Sequence, residues 1–224
     1  GRAQCPRMLP RRTALALAAP LLLPACLVFD RKVLDPTVLV QTRTGIELGV
    51  STEYGVVFLG TTAGQGEADV VAWFGDGPSV EPSLVEPIGD GLYLLETEIR
   101  LPWTEMTFVD PAAGTPVEVR GRGPTGVWSI PATVAKDARV EGLLLRVPPE
   151  LALPSDQVGA GVFLEDDLGR ARLLGLVSGR LQLEREQVVE EYLTVVGPTS
   201  LWRVAAYHRD GHLRRRFVYR DDVL

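Results

Sequence analysis

The length of the apolar runs is the feature that most constrains the fold of this chain. From residue 37 onward, short apolar runs alternate with glycine, proline and aspartate. Such runs fit strands, because a helix usually needs about 10 to 12 residues with a 3.6-residue period. Turn signals stand between them, for example Gly-Asp-Gly-Pro at 75–78 and Gly-Asp-Gly at 89–91. The sequence therefore predicts an all-β domain.

The predicted strands fall into two halves, 37–123 and 124–224, with Pro-Thr-Gly at 124–126 as the boundary. Sheets of this size usually close into small β-barrels or pack as a β-sandwich, because open edges invite aggregation. We therefore expect two barrels or a sandwich. The predicted strands are 37–42, 46–50, 55–59, 69–74, 92–99, 106–109, 116–120, 127–134, 139–147, 161–164, 172–177, 188–196 and 201–207.

The C-terminal end carries a further turn signal. Asp210-Gly211 stands between apolar residues, which predicts a closing hairpin with strands at 205–208 and 213–219. Helical periodicity is scarce, and 183–191 is the one segment where we expect a short, charged surface helix.

The first 25 residues have the organisation of a secretory signal peptide. Met8 is followed by Arg11 and Arg12, by an apolar run over 14–23, and then by Cys26. A positive start, a short apolar run and small residues before a cleavage site define such peptides. The apolar run is shorter than the roughly 20 residues that span a bilayer. We therefore expect cleavage before Cys26, with residues 1–7 upstream of the true start.

Leu-Pro-Ala-Cys at 23–26 resembles the lipobox of bacterial lipoproteins, in which a peptidase cleaves before a cysteine that carries diacylglycerol. Pro24 departs from the usual residues of the box. The resemblance implies that Cys26 is lipidated and that 26–36 tether the domain to a membrane of the cell envelope, facing the periplasm or the exterior. Several acyl chains on one residue bind a membrane far more firmly than one. A plain signal peptide with a coincidental cysteine, or a misassigned start, is the alternative.

Cysteine content and charge fit an exported acidic domain. The chain has two cysteines, and Cys5 lies upstream of the expected start, so we expect no disulfide in the mature domain. Removal of residues 1–25 takes away four arginines and no acids, which leaves a net charge of −10 on the mature side chains. This charge argues against nucleic acid as a partner, since nucleic-acid binding needs a basic face.

Four segments resemble the chymotrypsin/trypsin-like proteases. Asp-Gln-Val-Gly-Ala-Gly-Val-Phe at 156–163, with Leu-Gly-Leu-Val-Ser-Gly at 174–179, is similar to the Gly-Asp-Ser-Gly-Gly-Pro-Val-Phe and Val-Gly-Ile-Val-Ser-Gly stretches of that family. The segment 192–202 resembles the family's closing strand, and 55–64 resembles the strand that leads into Thr-Ala-Ala-His. Asp-Gly-Leu-Tyr-Leu-Leu at 90–95 resembles Asp-Ile-Ala-Leu-Leu with one extra residue. The resemblance implies a chymotrypsin-like double β-barrel.

The same resemblance implies that the catalytic residues are missing. That chemistry needs a hydroxyl nucleophile, an imidazole base and a carboxylate that orients the imidazole. The family's nucleophile falls on Val158, its imidazole on Gly64 and its carboxylate on Asp90. Valine cannot attack and glycine cannot accept a proton, so the resemblance implies a catalytically inactive domain. Without the resemblance, the glycine-rich run at 159–161 is simply a tight turn between strands.

Other polar residues suggest further sites. His208 and His212, the two histidines of the chain, are expected to flank the turn of the predicted hairpin as exposed residues rather than as metal ligands. Glu96 and Glu98 would share one face of a strand. Two carboxyl groups separated by about 5 to 10 Å are the machinery of glycosidases.

Paired acids and tryptophans have simpler interpretations. The neighbouring acids Asp166-Asp167 and Glu190-Glu191 point apart along the chain, so we expect solvated rather than catalytic carboxylates. We expect core positions, rather than a ligand groove, for the four tryptophans. These are Trp73, Trp103, Trp128 and Trp202.

The sequence therefore predicts a membrane-anchored bacterial envelope lipoprotein. Its β domain is expected to bind or scaffold another envelope protein or polymer, with no catalytic, cofactor-binding or metal-binding residues. The alternative is a carboxylate-dependent hydrolase of wall or surface polymers, which would need two acids facing one cleft.

Overall fold

Strands dominate the part of the chain that the structure describes. The computed structural model describes residues 35–42, 45–60, 71–73, 79–98, 101–123, 126–151, 154–155, 157–185 and 188–221. These residues form thirteen strands followed by one helix. The elements are β1 (Thr37–Gln41), β2 (Ile46–Thr52), β3 (Gly55–Leu59), β4 (Val71–Trp73), β5 (Ser79–Val80), β6 (Pro82–Gly89), β7 (Leu92–Thr97), β8 (Pro116–Gly123), β9 (Gly126–Ala135), β10 (Leu143–Arg146), β11 (Gly161–Glu165), β12 (Ala171–Arg185), β13 (Val188–Val196) and α1 (Pro198–Asp221).

The first seven strands form one antiparallel sheet in the order β5-β4-β1-β2-β3-β7-β6. Strand β3 is buried on both faces, which explains its unbroken apolar sequence. Val56 and Phe58 pack into a cluster on one face, whereas Val57 and Leu59 pack into a second cluster on the other. This alternation follows from the two-residue period of a strand.

The remaining six strands close into a barrel in the order β10-β13-β12-β11-β8-β9, and β9 pairs with β10 to complete it. Strand β8 has the alternating burial that is typical of a barrel strand. Val117 and Val119 are buried in the barrel core, while Glu118 and Arg120 between and after them are only partly buried. Leu145 on β10, which is fully buried, belongs to the same core cluster.

A second apolar cluster joins the sheet, the barrel and the helix. Val50 and Val57 come from the sheet, Phe163 and Leu176 from the barrel, and Leu201 from α1. All five side chains are at most 2% exposed. This continuous core fixes how the sheet and the barrel are held together.

The segment 101–110 links the sheet to the barrel by backbone hydrogen bonds. The Thr104 amide donates to the Ser51 carbonyl over 3.1 Å, and its hydroxyl donates to the Ala171 carbonyl over 2.7 Å. The Met106 amide donates to the Glu53 carboxylate, whose pKa is raised mainly by burial. The strand predicted at 106–109 is wrong, because this part of the chain forms isolated bridges instead.

The predicted C-terminal strands are also wrong, because residues 198–221 form the helix α1. Leu201 and Val204 are fully buried, and His208 contacts the Tyr54 ring at 5.1 Å between centroids. This spacing places the three residues on one face of a helix. Packing of that face overrides the turn signal at Gly211, which inside a helix costs about 1 kcal/mol relative to alanine.

The helix predicted at 183–191 is wrong as well. Residues 183–185 and 188–191 belong instead to two paired strands, in which Leu183 pairs with Glu190 and Glu184 with Val189. Residues 181–184 alternate between half-buried and exposed positions, which is the period of a strand rather than of a helix.

The boundary predicted at 124–126 lies inside the barrel. Gly123 pairs with Gly126, so β8 and β9 form one hairpin across this position. The chain therefore passes from the sheet to the barrel between β7 and β8. Strand β6, which was not predicted from the sequence, begins at Pro82 and also contains Pro87. It tolerates both prolines because it is an edge strand of the sheet.

The structure confirms the predicted fold class, since the described residues form a closed β-barrel and a second β-sheet. Among the described residues there is no helix long and apolar enough to cross a membrane. The predicted signal peptide, Cys26 and most of the tether precede the described residues.

Candidate functional site

The turn at 157–159 stands where the sequence resemblance locates a protease nucleophile. The Gly159 amide donates to the Val177 carbonyl over 2.7 Å, and the Val177 amide donates to the Ala160 carbonyl over 2.9 Å. Gly159 has a φ of +86°, which L side chains rarely adopt. A Cβ there would lie 2.6 Å from the Leu48 carbonyl oxygen. The turn is therefore held tightly between Leu48 of β2 and Val177 of β12.

Val158 is half-buried at this turn and packs against the cluster that joins sheet, barrel and helix. Its isopropyl group has no lone pair and no titratable proton, so it cannot act as a nucleophile. Leu92, two residues after Asp90, belongs to the same cluster. The structure thus brings Val158 and the start of β7 to one core.

Asp90 is the one residue of the implied triad that keeps a suitable side chain, and it binds the helix. Its Oδ2 accepts hydrogen bonds from the Ser200 hydroxyl and from Nη1 of Arg203, both over 2.7 Å. The bond from Ser200, followed by that from Arg203, lowers the pKa of Asp90 below its usual value. The carboxylate therefore fastens α1 to the β6–β7 turn.

The position that the resemblance gives to the imidazole, Gly64, lies outside the described residues. The two histidines of the chain both belong to α1, so the expectation that they flank a hairpin turn is wrong. His208 instead packs edge-on against Tyr54.

Arg180 ties the residues before Val158 to β13. Its Nη2 donates to the Pro154 carbonyl over 3.3 Å and to Oε1 of the buried Gln157 over 3.2 Å. Its Nη1 lies 3.3 Å from Oε1 of Glu191. The guanidinium therefore joins Pro154 and Gln157 to Glu191 on β13.

A cleft of about 550 Å³ opens between the end of β10 and β13. Its apolar lining includes Pro148, Pro149, Leu151 and Val189. Clefts of this size hold small ligands or peptide segments. No sequence motif points to this site, because its walls come from segments more than 35 residues apart.

The polar wall of the cleft is a cluster of three side chains. Nη2 of Arg146 lies 2.9 Å and 3.0 Å from the two carboxylate oxygens of Glu190, and 3.0 Å from the Tyr192 hydroxyl. The Tyr192 hydroxyl also donates to Glu190. Each polar group therefore has a fixed orientation, as recognition of a ligand requires.

The acids singled out in the sequence do not form one group. Glu96 is partly buried on β7, whereas Glu98 is exposed and follows the end of that strand at Thr97. Glu190 and Glu191 point apart as expected, since they pair with Arg146 and Arg180 respectively.

Asp166 is a turn residue rather than a solvated acid. Its carboxylate accepts hydrogen bonds from the Arg170 and Leu168 amides, both over 2.9 Å, and from the side chains of Arg170 and Arg172. The backbone bond from Arg170 is the largest of the contributions that lower the pKa of Asp166 far below its usual value. Its role is to hold the β11–β12 turn.

The tryptophans only partly follow the prediction of core positions. Trp128 packs against the barrel core and fills the space over Gly121, but Trp103 and Trp202 are 40% and 52% exposed. The Trp73 side chain lies outside what the structure describes. Within the described residues, no group of three or more histidine, cysteine and acidic side chains is placed to hold a metal ion.

Comparison with known proteins supports the fold and goes no further. No protein-family model and no curated protein sequence matches the chain. A mutant of Rv3671c from M. tuberculosis H37Rv, in its inactive form, is similar in structure with a TM-score of 0.52 and 16% identity, covering 76% of this chain and 87% of that chain. The Rv3671c protease in its inactive form gives a TM-score of 0.54 at 16% identity, with 76% and 88% covered. The serine endoprotease from Yersinia pestis also gives 0.54 at 16% identity, with 80% of this chain and 64% of that chain covered.

These neighbours and the strand topology define the class of fold. The chain has a trypsin-like fold, with a closed six-stranded barrel and a second sheet of seven strands. At 16% identity the likeness is one of fold, and fold alone does not determine chemistry.

Proposed function

We propose that this protein is a non-catalytic trypsin-like domain that binds another component of the bacterial cell envelope and is anchored to the membrane by lipid on Cys26. The observation that carries the proposal is the side chain at the turn before β11. The sequence resemblance assigns the position of the nucleophile to Val158, and this half-buried side chain packs against the core cluster. A valine there removes the covalent step on which acyl transfer depends.

The other two roles of the triad support the same interpretation. The Oδ2 of Asp90 accepts hydrogen bonds from Ser200 and Arg203, so this carboxylate binds the helix α1. General-base catalysis by histidine requires an imidazole within hydrogen-bond reach of the nucleophile. The chain contains two histidines, and both are placed on α1.

The lipid anchor rests on the sequence before the described residues. A metabolic label tests it directly: cells that express the full chain are fed an alkyne fatty acid, and the purified protein is coupled to a fluorophore. We expect label on the wild type and on Cys5→Ser, and none on Cys26→Ser. Equal labelling of the Cys26→Ser variant, or an unlabelled wild type, would contradict the anchor.

Hydrolysis of envelope polymers by a carboxylate pair is the alternative, and the solved neighbours are themselves hydrolases. We expect the full chain to release no soluble fragments from purified peptidoglycan. Release that is abolished in the double variant Glu96→Gln/Glu98→Gln, but not in the matched control Glu81→Gln, would establish the alternative and overturn the proposal.

A further inference from the structure

Strand β13 extends beyond its pairing with one neighbour. On one side it pairs with β12 along its whole length, from Val188 to Val196. On the other side the ladder with β10 runs over 143–145 and ends at the pair Leu145–Leu193. The first five residues of β13, 188–192, therefore continue past the end of that ladder.

The chain that follows β10 is chemically unsuited to extend the ladder. Continuing the register of Leu145–Leu193 would place Pro148 opposite Glu190 and Pro149 opposite Val189. Proline has no amide hydrogen to donate to a neighbouring strand. The chain turns away instead, with the Leu151 amide donating to the Pro148 carbonyl over 3.0 Å.

The 550 Å³ cleft lies where a further strand would fit, between this turn and the N-terminal part of β13. Two apolar side chains on its walls are exposed: Leu151 at 38% and Val189 at 62%. An extended peptide can pair its backbone with such a strand edge and place alternate side chains against apolar walls. The geometry therefore favours a polypeptide as the occupant.

The charges around the cleft define the peptide further. The lining carries Arg146, Glu190 and Glu191, and Arg180 just outside it pairs with Glu191, so the charges at the cleft itself balance. The whole chain has a net charge of −6. Because the local charges balance, the acidic charge of the whole chain decides, and it disfavours an acidic peptide relative to a neutral or basic one.

We propose that the cleft between β10 and β13 binds an extended, apolar, neutral-to-basic segment of an envelope protein, which adds as a strand to β13. The inference rests on the proposed function and names the chemistry of its partner. The polar cluster of Arg146, Glu190 and Tyr192 at the end of β10 closes the cleft and sets how far the segment reaches.

The probe is the fluorescein-labelled peptide KVTVTVK, with EVTVTVE as its acidic counterpart. Full-length protein in mild detergent is titrated into each peptide and fluorescence anisotropy is followed. We expect saturable binding of KVTVTVK, and binding of EVTVTVE at least about tenfold weaker.

Two substitutions place a charge on the apolar walls without disturbing the core. Val189→Lys and Leu151→Lys should each weaken binding of KVTVTVK by at least about tenfold, because the peptide would bury an unpaired ammonium group and its own lysines would be repelled. The matched controls are Val109→Lys, at a valine with 63% exposure, and Leu168→Lys, at a leucine with 75% exposure. Both controls should bind as the wild type does.

The proposal is overturned if the wild type does not bind KVTVTVK, or if the cleft variants and the controls bind it equally. It is also overturned if Val189→Lys abolishes a concentration-dependent dimer of the protein, which would make a second copy the occupant. Mass spectrometry of the peptide after each titration separates this test from the proposed function. A cleaved peptide would overturn the non-catalytic role. The comparison of the cleft variants with the controls would still show whether the peptide binds in the cleft.

Discussion

Replacing Gly159 by alanine should destabilise the protein more than replacing Gly114, although the two glycines share one backbone conformation. Each has a φ of +86°. An L residue in the left-handed region costs about 1 to 2 kcal/mol. A Cβ at position 159 would also lie 2.6 Å from the Leu48 carbonyl oxygen and 3.2 Å from the Leu48 Cβ, whereas one at position 114 meets nothing within 4 Å.

The difference between the two variants isolates the contact with Leu48. Backbone conformation alone should cost Gly114→Ala about 1 to 2 kcal/mol of unfolding free energy. Gly159→Ala carries the same cost plus that of an overpacked contact, about 1 to 3 kcal/mol more. For a chain of this size the extra cost lowers Tm by about 2 to 12 °C.

Urea unfolding followed by tryptophan fluorescence measures both variants on the same scale. We expect the midpoint of Gly159→Ala to fall below that of Gly114→Ala with the m-value unchanged, since the surface exposed on unfolding is the same. If the two midpoints coincide, the turn does not lie against Leu48, and the placement of Val158 between sheet and barrel is refuted.

Two further predictions concern the barrel. The pKa of Asp166 is lower in the folded than in the unfolded protein, so its stabilisation is complete above about pH 4 and is lost as the pH falls below that value. Asp166→Asn should therefore lower stability at pH 7 and flatten its decline in acid, as measured by urea midpoints from pH 2 to 7. The matched control Asp167→Asn, at the exposed neighbour, should change the free energy of unfolding at pH 7 by no more than about 0.5 kcal/mol. Leu145→Ala, at a fully buried position in the barrel, should lower the free energy of unfolding by about 2 to 5 kcal/mol. Leu168→Ala, at a 75% exposed position, should change it by no more than about 0.5 kcal/mol. Equal urea midpoints for these two variants would contradict the placement of Leu145 in the barrel core.

Strands with strong local patterns could be predicted from the sequence. The prediction at 55–59 coincides with β3 (Gly55–Leu59), because the apolar run 56–59 is bounded by Gly55 and Gly60. The C-terminal helix could not be predicted from local signals alone. Gly211 favours a turn, while the packing of Leu201 and Val204 against sheet and barrel decides for a helix.

The candidate site could likewise be predicted from the sequence only in part. The assignment of Val158 and Asp90 to a site stays a prediction, made because their surroundings in the sequence resemble protease segments in the same chain order. The bonds of Asp90 to Ser200 could not, because they join residues 110 positions apart. The cleft depends on where the β10–β13 ladder stops, and the register of distant strands is not encoded in any short motif.

Reaction with a fluorophosphonate probe, read as the intact mass of the purified full chain, tests the absence of protease chemistry most directly. Such probes form a covalent bond with an activated serine, and activation needs a neighbouring general base. We predict no adduct on the wild type and none on Val158→Ser, because a hydroxyl at 158 would still lack an imidazole at 64. A stoichiometric adduct on the wild type would show an activated nucleophile elsewhere in the chain and contradict the account of a trypsin-like fold without its catalytic residues.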